Sequence, residues 1–282
     1  MIYFIIFKYV PLYGLVLPFK EYQFSKGFFG SEWAGLKNFE FLMDNAQVNI
    51  ALRNTLLYNV TFIALGIVIS VTVALLLFEL TGKYIKIYQT IFYLPYYISW
   101  VVVAYVARAF LDMDYGLLNK LRETFGTQPL LWYSNPSYWP IIIIIANVWK
   151  GFGSNAVLYY AALMGTDKEL FEAAKLDGAS KIQTIFYIAI PSIKSIIVMM
   201  TILSIGNIFY GDFGLFYNLT LNSPLLYSTT DIIDTYVYRS LVGLGDIGIS
   251  SAVCFFQSVL GFTLVMITNF VVNKIDEDCA LF

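Results

Sequence analysis

Two groups of residues carry the chemistry this chain could perform. The first is Glu172, Ala173, Ala174 and Gly178, in a stretch from Gly165 to Pro191 that is neither strongly apolar nor loop-like. A carboxylate beside two small residues suits a close, charged contact with another surface. No acid pair, metal cluster or nucleophile–base set stands out anywhere in the chain. The second group lies inside apolar runs. Asn147, Lys150, Gly151 and Ser154 fall at i, i+3, i+4 and i+7, one face of a helix. Ser204, Asn207 and Gly211 fall at i, i+3 and i+7, with Asp212 beside them. Polar groups in hydrocarbon are costly and by default face a bundle interior or a wet cavity. Their chemistry is hydrogen bonding to a polar solute, or alternatively helix-to-helix tying and bonding to a partner chain. Lys150 and Asp212 are expected to pair across the two helices, since neither charge should be left alone.

Other chemistries are excluded by what is missing. Histidine is absent, which removes His-based triads, His-liganded zinc and His proton switches. Cys254 stands in an apolar run and Cys279 in a polar tail, so a disulfide between them is not expected. Gly243-Leu-Gly-Asp-Ile-Gly248 has the spacing of a dinucleotide fingerprint, but a loop precedes it and an apolar span follows. It reads as a turn and the start of a helix. No phosphate-binding G-x-x-x-x-G-K-S/T occurs, so the chain is not expected to hydrolyse ATP.

The elements that must position these groups are membrane spans. Of 282 residues, 59% are hydrophobic, 18% aromatic and 13% charged, where soluble domains carry about a quarter charged residues. A bilayer core of roughly 30 Å needs about 20 apolar residues per helical crossing. The net charge of −2 offers no basic face for nucleic acid. The apolar runs predict an all-α, polytopic membrane protein of about six transmembrane helices. They run from Met1 to about Phe19, Thr55 to Phe78, Thr90 to Leu111, Tyr138 to Met164, Ser192 to Phe216 and Ile247 to Val272.

Met1 has no basic lead and no small-residue cleavage site after it, so no signal peptide is read. The first run, broken by Lys8 and Pro11, is short for a crossing and suggests further residues before Met1. Between the first two spans, Lys20–Arg53 reads as an external segment with a short amphipathic helix near Phe39–Met43; Asn54 is read as the cap of the second span. A short loop holds Glu79, Gly82, Lys83 and Lys86, and the tail is acidic at Asp276, Glu277 and Asp278. Arg108 and Lys8 are expected to snorkel near span ends. Trp100, Trp132, Trp139 and Tyr138 read as interfacial anchors. The whole chain, residues 1–282, reads as one transmembrane domain.

The polar stretch itself, EAAKLDGASKIQTIFYIAIP from Glu172, reads as helix, break and helix. Leu170, Phe171 and Ala174 give the first helix an apolar edge, and Gly178 sits where a left-handed turn is cheap. Ile182, Ile185, Phe186 and Ala189 repeat at helical spacing before Pro191. This segment resembles the EAA loop of binding-protein-dependent ABC importer permeases. Glu172, Ala173, Ala174, Gly178, Ile188 and Pro191 match that pattern at its spacing, with Ile190 where the family prefers Leu. Tyr9-Val-Pro-Leu-Tyr-Gly14, Phe19-Lys-Glu-Tyr22, Gly30-Ser-Glu-Trp-Ala-Gly35 and Asp234-Thr-Tyr-Val-Tyr-Arg239 are similar to the carbohydrate-uptake subgroup handling complex oligosaccharides.

The resemblance implies a type I importer permease, not an enzyme, with no cofactor of its own. Residues 165–191 would form a cytoplasmic coupling loop. Leu170, Phe171 and Leu176 would give apolar grip on an ATPase subunit, with Glu172, Ala173, Ala174, Asp177 and Gly178 completing the contact. ATP and Mg would be used by two cytoplasmic ATPase subunits. A second permease subunit (expected to be a different chain), an extracytoplasmic solute-binding protein and a carbohydrate are the other implied partners, alongside membrane lipid. The implied location is the bacterial cytoplasmic membrane, multi-pass, with both termini cytoplasmic. Charge does not fix that orientation, because the loops carry seven Lys or Arg on either side. The maltose permease that this chain resembles places sugar contacts at matching distances from its loop, with Asn also at the position of Asn147. Trp149, Tyr159, Phe209 and Tyr210 are near enough to add aromatic faces to a sugar site. An autonomous secondary transporter or channel is the alternative, but it should show inverted repeats with broken helices in both halves, and none is detected.

Overall fold

A computed structural model describes residues 2–80, 84–276 and 279–281. Gly82 and Lys83 of the short loop, and Glu277 and Asp278 of the tail, lie outside the described residues. The architecture is helical, with one addition to the all-α expectation: Lys20–Glu21 pairs antiparallel with Glu32–Trp33 outside the spans.

Three helices are long and apolar enough to cross a membrane: Ala46–Glu79, Pro136–Met164 and Ile247–Ile275. Two more candidates are broken. Tyr84–Tyr97 and Trp100–Leu111 meet at 94°, and Lys181–Ser192 and Lys194–Gly206 meet at 60°. The first run, Ile5–Phe19, is apolar but shorter. It winds through a π turn at Ile5–Tyr9 and a 3-10 stretch at Val10–Phe19, which holds Pro11 and Pro18. Each proline removes a backbone donor from the ladder. In chain order these segments follow the six apolar runs, but their boundaries move.

The second span begins at Ala46, well before the expected Thr55, and its cap is Asn45 rather than Asn54. The Asn45 Oδ1 accepts the backbone N–H groups of Gln47 and Val48. Asn54 lies inside the helix, buried, and its amide donates to the carbonyl of Asp231 at 2.9 Å. The third span is not straight, because Ser99 is extended and caps a new helix from Trp100. The fifth span stops at Gly206, so Asn207 is its C-cap and Gly211 and Asp212 lie beyond it. They therefore do not share a helix face with Ser204, as the periodicity had suggested.

Packing of the long helices is intimate where residues are small. A Cβ added at Gly153 of the fourth span would overlap the Phe92 carbonyl oxygen of the third, so the two backbones touch. Trp139 is not an interfacial anchor. It is fully buried with Ile143, Leu215 and Phe216, and its Nε1 donates to the carbonyl of Trp132. Burial and a donor partner together satisfy the indole. A second apolar cluster, Val71, Ala74, Tyr159, Leu163, Ala189 and Ile193, ties the other end of the bundle together beside the polar stretch. Arg108 sits near a helix end as expected, paired with Asp112 at i+4. Cys254 and Cys279 are both free thiols, one exposed and one buried.

Candidate functional site: a coupling loop and a polar cavity

The polar stretch folds as helix, turn and helix. Asp167 caps Lys168–Leu176 by accepting the N–H of Glu169. At the other end the N–H of Ala179 donates to Ala174 O at 2.9 Å and that of Gly178 to Lys175 O at 3.3 Å. These two bonds make a Schellman cap, which needs a left-handed residue at its turn. Gly178 supplies it with φ +77°. Ser180 and Gln183 then form a reciprocal capping box that starts Lys181–Thr184.

The two faces of the first helix have different tasks. Ala174 is buried, and Phe171 packs on Phe78 of the second span with ring centroids 5.1 Å apart. Phe171, half-buried, is thus anchored to this chain's own second span, a contact that the sequence reading did not include. Leu170, Glu172, Ala173, Asp177 and Gly178 are exposed, and Leu176 is 89% exposed. Lys181 Nζ meets Glu79 at 2.9 Å, a second tether between the loop and the end of the second span.

The polar groups of the spans divide into two places. Asn147, Ser204 and Asn207 line a cavity of about 380 Å³ between the second, fourth and fifth spans. Asn59, Asn155, Tyr159 and Tyr210 line it too. Asn59 Nδ2 donates to the carbonyls of Ile208 and Tyr210, which fixes its amide against the turn that ends the fifth span. The lining combines these amides, a hydroxyl and aromatic rings with the apolar Ile63, Ile67, Met200 and Leu203, and holds no charged side chain. Asn59 and Asn155 escaped the periodicity argument, yet each is an amide in an apolar run, and that alone is a signal. Of the aromatic residues considered, Tyr159 and Tyr210 line the cavity, whereas Trp149 and Phe209 do not.

Lys150, Gly151, Ser154, Gly211 and Asp212 do not line this cavity. Ser154 Oγ donates to its own helix at Gly151 O, and nothing lies within 4 Å of where a Gly151 Cβ would stand. The Gly211 N–H donates to the Asp234 carboxylate at 2.7 Å. The expected Lys150–Asp212 pair does not form. Lys150 Nζ reaches across the break in the third span to the carbonyls of Pro95 and Tyr96, at 3.3 and 2.6 Å. Asp212 instead caps Phe213–Leu219 by accepting the Leu215 N–H, and also accepts Trp100 Nε1. The two charges are joined only through the Trp100 ring, over which Lys150 lies at 5.4 Å.

Residues 66–277 match the family described as binding-protein-dependent transport system inner membrane component. The chain belongs to that family. The permease is a multi-pass inner-membrane component and not an enzyme; in this family ATP is handled by a separate subunit. The permease is 36% identical over 278 residues to the polygalacturonan/rhamnogalacturonan transport system permease protein YteP of Bacillus subtilis (strain 168), covering 98% of this chain and 86% of the relative. It superposes with TM-score 0.88 and 31% identity on a chain of a bacterial ABC transporter involved in the import of the acidic polysaccharide alginate, covering 98% of this chain and 92% of that one. A second crystal structure, of a bacterial alginate transporter in complex with alginate pentasaccharide-bound periplasmic protein, matches with TM-score 0.87 at 31% identity, covering 97% and 91%. The permease is thus the membrane part of a binding-protein-dependent ABC importer, which sets aside the reading of an autonomous carrier or channel.

Proposed function

We propose that this permease imports an oligosaccharide through a path formed with a second permease subunit, driven by two cytoplasmic ATPases that grip Lys168–Gly178. The observation that carries the sugar reading is the polar part of the cavity lining: four asparagines, a serine and two tyrosines among apolar residues, with no charge. Amides and hydroxyls offer both donors and acceptors, which suits a solute made of hydroxyl groups. The relatives transporting polygalacturonan and alginate support the same class of cargo.

The coupling reading rests on the exposed strip Leu170, Glu172, Ala173, Leu176 and Asp177, held out by the Gly178 turn. With this strip in an ATPase cleft and all six apolar runs crossing, both termini would lie on the cytoplasmic side. Movement of the strip would pass through Phe171–Phe78 and Lys181–Glu79 into the second span, which lines the cavity at Asn59. Asn147→Leu and Asn207→Leu are expected to lower oligosaccharide uptake in vesicles holding the full complex, while ATPase subunits still co-purify. Unchanged uptake by both variants, at normal subunit level, would remove the cavity from the path.

A further inference from the structure

Lys150 stands at the middle of the Pro136–Met164 helix, half-buried, where a cation is costly unless it faces protein, water or a counter-charge. Among the described residues no carboxylate lies within salt-bridge distance of its Nζ. Its two carbonyl partners end the Tyr84–Tyr97 half of the broken span, and carbonyls at a helix C-terminus carry only partial negative charge. They engage two of the three N–H donors of the ammonium. The Tyr96 and Trp100 rings flank it at 5.5 and 5.4 Å. Around the break, Tyr96 and Tyr97 are exposed. A mid-span surface made of a cation and phenolic rings does not suit lipid.

We propose that Lys150 is a carboxylate-recognition point on the import path, and that the imported oligosaccharide is an acidic one. Its carboxylate pairs with the Lys150 ammonium, and a sugar ring lies against Tyr96 or Trp100. This rests on the oligosaccharide reading above. The uncharged cavity would then take the hydroxyls, while Lys150, on another side of the same helix, takes the charge. The neighbouring Asp212 is held off the ammonium by its bonds to Trp100 and Leu215, which leaves the cation open to a ligand anion.

The test uses the complete transporter with its ATPases and binding protein in lipid vesicles. Uptake is measured for tetragalacturonate, tetramannuronate, their methyl esters and neutral maltotetraose. The binding protein is common to all variants, so a change in the acid-to-ester ratio reports the permease. Lys150→Met is expected to lower uptake of the preferred acid at least about tenfold while changing ester uptake less than about twofold. Lys150→Arg should keep the acid preference. Equal loss of acid and ester in Lys150→Met overturns the proposal and leaves Lys150 as a brace for the broken span. Uptake of the neutral sugar alone by the wild type also overturns it, but spares the oligosaccharide reading. Uptake of none of these sugars ends both.

Discussion

Phe171 of the proposed coupling helix rests its ring on Phe78, near the cytoplasmic end of the second span in the proposed orientation, with centroids 5.1 Å apart. The contact joins the segment proposed to feel the ATPase to a helix that lines the polar cavity. Phe171→Ala is expected to lower uptake about tenfold, since an aromatic pair and its apolar burial are worth a few kcal/mol at most. ATPase subunits should still co-purify, because the exposed strip is untouched. Leu176→Asp should do the reverse and release the ATPases. Loss of both functions in both variants would mean that the two faces of this helix are not separable.

Gly178 holds φ +77° in the Schellman cap, where a Cβ costs roughly 1–2 kcal/mol. Uptake is expected to fall in the order Gly178, Asn, Ala, Val, because Asn tolerates the left-handed region best. No atoms lie within 4 Å of the missing Cβ, so the ranking reads backbone strain rather than crowding. An order following side-chain size, with Asn worse than Ala, would contradict this account.

Gly153 is the opposite case. A methyl group there would overlap the Phe92 carbonyl, so Gly153→Ala must push the third and fourth spans apart. Overpacking of this kind costs about 1–3 kcal/mol or more. A lower unfolding midpoint in detergent and a lower yield of assembled complex are expected, and Gly151→Ala, with open space at its Cβ, should show neither.

Orientation can be read chemically. With the loop facing the cytoplasm, Lys168→Cys should react with a membrane-impermeant thiol reagent only after cells are opened. Lys120→Cys, on the opposite side, should react in intact cells. Each is compared on a background lacking Cys254, which is exposed. The reverse pattern would invert the assignment.

Asn59 is fixed by two carbonyls at the turn after the fifth span, so Asn59→Ala should leave them unpaired. Losing such partly exposed hydrogen bonds costs about 0.5–1.5 kcal/mol each. Lower uptake together with a lower unfolding midpoint is expected, whereas Asn155→Ala, which also lines the cavity, should act on uptake more than on stability.

The helix–turn–helix of residues 165–191 was legible because its information is local. A Gly at a left-handed turn and a small-residue pair act over a few residues, and the backbone carries the left-handed turn at Gly178. The approximate order of spans was legible for a similar reason, since runs of apolar residues follow from the thickness of hydrocarbon. Which way Phe171 points was not legible, because periodicity gives an apolar edge without saying which surface it meets. Lys150 and Asp212 were matched as opposite charges by sequence, but pairing depends on where backbones break. The bend at Ile98–Ser99 exposes carbonyls that take the ammonium, and the end of the fifth span at Gly206 turns Asp212 into a cap for the next helix. The sequence by itself therefore determined the membrane class, the family loop and its turn. Only the tertiary structure decided which polar groups share a cavity, because that depends on helix breaks and close backbone approaches between residues far apart in the chain.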